Sequence, residues 1–285
     1  MIRVETVTQQ MFSEVFQLLK DLRNHNLLES DFRSIFDYPW KNKLEYPGYV
    51  LFDDDKIVGF IGTIFCERIL NNKVEKFCSI TSWVVKEQYR DQSLRMLLPI
   101  VRLKDYTITV LTLKKDLLPL FQKLKFKILE TETIIIPPIP KISIRSTSSI
   151  SITMDEAVLK SKLNDQDARI YKDHLTYDCY HLLVYDQYSY CYILFSKARK
   201  RGFKFNRIHY ISNIKLFAKN SIRINFRMIQ YSKVFLTVLD SRFCRDISIP
   251  HSIKFRLRSD KIYKSSSLDA HMIDNLYTEY ILLRI

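Results

Sequence analysis

The stretch that decides the fold runs SITSWVVKEQYRDQSLRMLLPIV, residues 79–101. Its first residues continue an apolar run that begins at Lys73 (KVEKFCSITSWVV, 73–85), and this pattern predicts a strand. Period-two alternation would place Ser79, Thr81 and Trp83 on one face and Ile80, Ser82 and Val84 on the other. A polar entry loop follows, and Gln88 to Val101 then carries apolar residues at helical spacing.

Upstream, Met11, Phe12, Val15, Phe16, Leu18, Leu19 and Leu22 make residues 9–24 an amphipathic helix, and Pro47-Gly48 turns the chain into YVLF (49–52). An acidic turn, Asp53-Asp54-Asp55, links this strand to KIVGFIGTIFCERI (56–69) as a hairpin, and Asn71-Asn72 turns into the next strand. Downstream come a short β-branched strand (106–111), a short helix (116–124) and ILETETIII (128–136). The segment 137–153, PPIPKISIRSTSSISIT, combines prolines with a Ser/Thr cluster and reads as a linker. After it the order partly restarts: a helix over 155–175, strands at 180–186, 189–198 and 206–212, a helix over 213–231, strands at 233–240 and 254–259, and a helix over 268–283. The expectation is an α/β protein with mixed sheets in two lobes, 1–136 and 154–285, joined by 137–153.

The 285 residues are 47% hydrophobic and 27% charged, a folded-protein composition, while only 4 glycines exclude glycine-rich nucleotide loops in their usual form. Five cysteines, Cys66, Cys78, Cys179, Cys191 and Cys244, form no C-x-x-C pair and are odd in number, which points to buried free thiols and a reducing compartment. The N-terminus lacks an apolar signal core and no run is long enough to span a membrane, so the expected location is cytoplasmic, without membrane insertion. The net charge of +14 is uneven: residues 1–136 carry 20 Lys and Arg against 18 Asp and Glu, whereas 137–285 carry 25 against 13. That basic second half is either a functional face for an anionic partner or compositional drift.

The 79–101 stretch resembles the central motif of the GCN5-related N-acetyltransferases, an apolar-V-x-x-x-x-R-x-x-G-x-G/A-x-x-L-L pattern. Val85 and Arg90 match its first anchors, Gln92 stands where Gln or Lys is common, and Leu94, Leu97 and Leu98 match its apolar positions. KIVGFIGTI resembles the family's second and third strands, and LLPLFQKLKFKILET (117–131) its closing helix and strand, so the likeness covers about residues 1–136. The resemblance implies that loop and helix N–H groups surround the pyrophosphate of acetyl-CoA or another acyl-CoA, with the helix dipole adding to the attraction. Cofactor contacts then fall to Trp83, Val84, Val85, Arg90, Asp91, Gln92, Ser93, Leu94 and Arg95.

This chain also departs from that pattern. Ser93 and Arg95 replace the two small residues. Ser93 can donate to phosphate, while Arg95 either adds a charge-assisted contact or fills the loop and blocks the cofactor. Phe121 replaces the tyrosine that often protonates the leaving thiolate, and Lys125 replaces the glycine before Phe126. The second half has no Arg-x-x-Gly loop after NRIHYIS and reads as a degenerate copy, an arrangement similar to tandem acetyltransferase-like proteins of polysaccharide biosynthesis.

Glu67 and Ser82 are the catalytic candidates, Glu67 as general base directly or through water, against the alternative of a strand-end pair with Arg68 or Lys76. Trp40, Ser79 and Thr81 are candidates for the acceptor site, with a loop anchor as the rival for Trp40 and satisfied strand hydroxyls for the others. His174, Cys179 and His181 lack further ligands at metal-site spacing, so no metal is read. KARKRGFKFNR (197–207) reads as a hairpin with Gly202 at its tip and its phenylalanines facing the core, in preference to a nucleic-acid surface. The expected function is acyl-CoA-dependent N-acetylation of a primary amine held between the lobes, with an anionic or nucleotide-sugar acceptor suggested by the basic half. A catalytically degenerate binding or scaffold protein is the alternative.

Overall fold

Apolar runs with period two become strands, and those with period near 3.6 become helices, in a computed structural model that describes residues 1–22, 28–40, 46–70, 73–139, 150–200, 202–245 and 247–284. The chain opens with a strand that was not expected, β1 (Ile2–Thr6), which leads through a 3-10 turn into α1 (Phe12–Leu22) and then α2 (Glu29–Phe36). Phe12, Phe16, Phe32 and Phe36 stack among themselves and on Phe60 of the sheet, so aromatic edges seat this helical start. β2 (Gly48–Asp53), β3 (Lys56–Leu70) and β4 (Lys73–Val85) follow as antiparallel neighbours. Gly48 has φ +153°, and a Cβ there would stand 2.1 Å from the Ile61 carbonyl oxygen, so glycine is required at the entry to β2.

A 3-10 turn (Glu87–Gln92) then enters α3 (Leu94–Val101), and β5 (Tyr106–Val110), α4 (Leu118–Lys123) and β6 (Lys127–Ile136) complete the first half. The second half runs β7 (Ser151–Thr153), α5 (Glu156–Lys162), α6 (Asp165–His174), β8 (Cys179–Tyr185), β9 (Tyr190–Lys200), β10 (Phe203–Ile211), α7 (Ile214–Lys219) and α8 (Ser221–Ser232). It closes with β11 (Thr237–Asp240), β12 (Ile253–Lys264) and the single turn α9 (Glu279–Leu282).

Several expected elements change shape for local reasons. The helix expected over 155–175 is two helices, because Leu163 is extended and the Asn164 side chain caps α6 by accepting from the Asp167 N–H at 2.8 Å. The strand expected from 233 starts at Thr237, since Lys233 ends α8 in the left-handed region. The helix expected over 268–283 is reduced to a 3-10 turn at Ala270–Met272 and to α9, with Tyr277 at φ +57° between them. The hairpin at 197–207 forms with Lys200 opposite Phe203; Phe205 is buried, but Phe203 points outward and is 72% exposed. The turn at Asn71-Asn72 and residues 140–149 of the expected linker lie outside the described residues.

The chain divides into two compact units, one of 1–128, 259–269 and 277–283, the other of 129–258, 270–276 and 284–285. In the first the strands lie in the order β1-β2-β3-β4-β5-β12, antiparallel throughout except for the parallel pair β4/β5. Its core gathers Ile61, Phe65, Cys78, Ile80, Met96, Leu97, Ile100 and Phe121 between the sheet and α3 and α4. In the second the order is β7-β8-β9-β10-β11-β6, with β10/β11 as its parallel pair and the other neighbours antiparallel. Its core is built on Leu182, Ile193, Phe195, Ile208, Phe217, Ile224 and Met228. One pattern therefore occurs twice, and in each unit the sixth strand comes from the other half of the sequence. Among the described residues no helix is long and apolar enough to cross a membrane.

Candidate active site

The site begins where two parallel strands separate. β4 and β5 pair from Lys76 opposite Tyr106 to Ser79 opposite Thr109, after which β4 runs on to Val85 while β5 ends at Val110. The parting leaves a cleft of about 480 Å³, in the range of small-molecule sites. One wall is the far end of β4, where Ile80, Thr81, Ser82, Trp83, Val84 and Val85 all line it.

That wall is shaped by a β-bulge. Thr81 pairs with Gly62 and Val84 with Phe60, so Ser82 and Trp83 together face the single residue Ile61, and Ser82 stands at φ +52°. The bulge overturns the strict alternation expected from the sequence: Trp83 and Val85 pack into the same core as Cys78 and Ile80, and Trp83 meets Phe121 edge-on at 6.1 Å. Ser79 is not on the face of Trp83. Ser79 itself is not among the residues that line the cleft, and its hydroxyl donates to Glu279 and accepts from Thr109. A bulge sets its extra residue out of the regular ladder, which turns this end of β4 toward the cleft.

The second wall is the loop and helix after β4. Arg90, Asp91, Ser93 and Leu94 line the cleft; the start of α3 has no side-chain cap, and with the Met96 N–H on the Ser93 carbonyl the N–H groups of Leu94 and Arg95 are those a helix start offers to an anion. Ser93 Oγ donates to the Arg90 carbonyl at 2.7 Å and tightens the loop, while Arg90 lies at the surface 3.3 Å from Glu87. Gln92 and Arg95 are not among the described residues that line the cleft, and Arg95 is exposed. Its side chain thus leaves the cleft open.

Sequence reasoning missed the third wall: Val110, Thr112, Leu113, Lys114, Asp116, Leu117 and Leu120, with Phe121 at the base. The two lysines after the β5 run, in LTLKKD (111–116), were a visible signal for a cation at this mouth. Phe121 is fully buried against Trp83 and Phe126, so this position supplies ring packing and no hydroxyl.

Two further candidates fall outside the lining. Glu67 is half-buried opposite Lys76, three residues, roughly 10 Å, along β4 from Ser79 and away from the cleft. Trp40 is half-buried, with its ring against Tyr277 at 5.1 Å and Tyr38 at 5.4 Å. The buried carboxylate nearest the parting strands is instead Glu279 of α9, 200 residues from its partner Ser79. Burial pushes it above the usual carboxylate range, opposed by a hydrogen bond from its own backbone N–H, by those from Ser79 and Thr112, and by Lys261.

In the second unit the histidines are tied to neighbours. His174 is fully buried with Nδ1 at 2.8 Å from the Ile170 carbonyl, and His181 Nδ1 lies 2.7 Å from the Tyr192 hydroxyl. Burial pushes His181 down to about 4, so it is neutral at physiological pH. The buried Arg242 donates to Asp240, to the Ile273 carbonyl at 2.9 Å and to Asn275 Oδ1 at 2.8 Å, which fastens segment 270–276 into this unit.

No protein-family model and no characterised protein matches this chain by sequence. Solved structures do match by fold. A GCN5-related N-acetyltransferase from Anabaena variabilis superposes with TM-score 0.60 at 11% identity over 93% of this chain and 72% of that one. A putative acetyltransferase from Pyrococcus horikoshii gives 0.53 at 14% identity, covering 93% and 90%. The N-myristoyltransferase of Saccharomyces cerevisiae with bound myristoyl-CoA gives 0.50 at 10% identity, covering 97% and 89%. The chain has the mixed α/β fold of the GCN5-related acyltransferases.

Proposed function

We propose that this protein is an acyl-CoA-dependent acyltransferase that N-acetylates a primary amine. The observation that carries the reading is the coincidence, in one cleft, of parted parallel strands, a bulge at Ser82 and the uncapped start of α3. In this reading the N–H groups at the start of α3 bind the pyrophosphate, the Ser93 hydroxyl turns from the Arg90 carbonyl to join them, and Arg90 turns from Glu87 to add charge. Trp83, Val84 and Val85 carry the pantetheine arm along β4, as an added strand would pair, and the bulge at Ser82 sets where the thioester comes to rest. Holding thioester and amine together in the cleft supplies the orientation on which the rate depends.

The acceptor in this proposal is an anionic amine, such as an amino sugar carrying phosphate or nucleotide, of the kind polysaccharide synthesis uses. The excess of 25 Lys and Arg over 13 Asp and Glu in residues 137–285 supports that choice. The second unit is then a degenerate copy: it repeats the strand pattern, but β10 passes through Ser212 and Asn213 directly into α7, with no loop equivalent to 87–93.

Titration calorimetry with acetyl-CoA tests the reading. Wild type is expected to bind at about micromolar Kd, Arg90→Glu to bind roughly tenfold more weakly, and Arg95→Ala to stay within about threefold of wild type. Absence of binding to wild type would sink the proposal in favour of a non-catalytic scaffold.

A further inference from the structure

Glu279 lies outside the cleft lining but is one hydrogen bond from it. Its Oε1 accepts from Thr112 Oγ1 at 3.3 Å, and Thr112 lines the cleft. Its Oε2 accepts from Ser79 Oγ at 2.8 Å, and Ser79 in turn accepts from Thr109 Oγ1 at 3.2 Å, which ties the carboxylate to the last rung before the strands part.

The surroundings are poor for a purely structural carboxylate. Glu279 is fully buried and makes no ion pair among the described residues. The groups facing it are Ser79 of β4, with Thr109 of β5 behind it, Thr112 just beyond β5, and Lys261 of β12, whose charge acts on it while Nζ lies 4.8 Å from the Tyr280 ring centroid. A buried charge held by two hydroxyls and a backbone N–H, with no ion pair, costs stability that a glutamine of the same shape would not. Desolvation also makes the carboxylate a stronger base than an exposed one, the direction that proton acceptance needs.

We propose that Glu279 is the proton acceptor for the incoming amine, acting through the Thr112 hydroxyl at the cleft wall. The inference rests on the acyltransferase reading. The ammonium form of the acceptor gives one proton to Thr112 Oγ1 as the Thr112 proton passes to Glu279. The neutral amine nitrogen then attacks the thioester carbon, forming the N–C bond. The adduct collapses with cleavage of C–S, the sulfur leaves with the electron pair and takes the second nitrogen-bound proton as CoA thiol, and Glu279 returns its proton to water. Glu279 is therefore a positioning and relay residue rather than one that touches substrate.

The test uses the full chain, acetyl-CoA and a panel of primary amines: glucosamine, glucosamine 6-phosphate, spermidine, lysine and a glycine-terminated peptide. At neutral pH Glu279→Gln is expected to lower kcat by about 10²–10⁴-fold while acetyl-CoA Kd moves less than about twofold. The loss is expected to shrink as pH rises, because the amine then arrives already neutral. Thr112→Val should share the defect and Thr112→Ser should not. Glu279→Gln is expected to stay folded and to be more stable than wild type at neutral pH. A folded Glu279→Gln with wild-type kcat, or one whose loss is equal at every pH, overturns the proposal while leaving acyl transfer intact. Wild type that releases no CoA with any member of the panel overturns the acyltransferase reading and this inference with it.

Discussion

Lys125 shows what one residue can and cannot reveal. It stands at φ +67° just after α4, with its N–H on the Gln122 carbonyl and the Phe126 N–H on Phe121, so the position has the left-handed geometry that favours glycine. A non-glycine residue there costs roughly 1–2 kcal/mol, partly offset in a glycine variant by the greater freedom of its unfolded chain, about 0.4–1 kcal/mol. Lys125→Gly is therefore expected to raise stability by roughly 0.5–1 kcal/mol, seen as a higher urea midpoint at unchanged slope. Lys125 and Phe121 were legible as departures because each fills a position whose neighbours in sequence define it. Arg95 was not, because spacing does not say whether a residue near a helix start faces a cleft or solvent; the structure leaves it exposed.

At the scale of elements, β4 combines what was legible with what was not. Its apolar run located the strand and its wall of the cleft, but the bulge shifts the facing of every later side chain, and no residue in SITSWVV announces it. Glycine is the usual occupant of a left-handed bulge position, and Ser82 meets the need less well. Ser82→Gly is expected to keep the fold and acetyl-CoA binding. Ser82→Val, β-branched at positive φ, is expected to cost about 1–3 kcal/mol and to weaken binding more than Ser82→Gly does. Equal behaviour of the two in thermal melts and calorimetry would show that the bulge has no such role. The C-terminal segment misled in the opposite way. Its apolar spacing looks helical, yet Leu276, Tyr277, Tyr280, Ile281, Leu282 and Leu283 are all buried, so the chain there follows the core rather than a helix axis. Glu279 travels with that segment, and a hydrogen bond spanning 200 residues leaves no trace in local pattern.

Over the whole molecule, the recurring strand pattern extends to its irregularities. β10 shifts register between Ile208 and Tyr210, just as β4 does between Thr81 and Val84, and His209 at that place is fully buried and accepts the Asn275 N–H through its carbonyl. The pattern is closed crosswise. β6 of the first half pairs with β11 through Thr133 to Ile136, while β12 of the second half pairs with β5 through Ile262 to Lys264. A fragment ending at residue 139 would therefore keep the cleft-lining residues but lose the strand beside β5 and the segment that holds Glu279, and it would leave β6 as an unpaired apolar edge. Expressed alone, residues 1–139 are expected to be insoluble or unfolded by circular dichroism. Co-expression with residues 150–285 is expected to return a soluble complex that binds acetyl-CoA, because each missing strand is then present in trans. A stable, monomeric 1–139 fragment with full acetyl-CoA affinity would show that the exchanged strands are dispensable, and that the first half carries its own core without them.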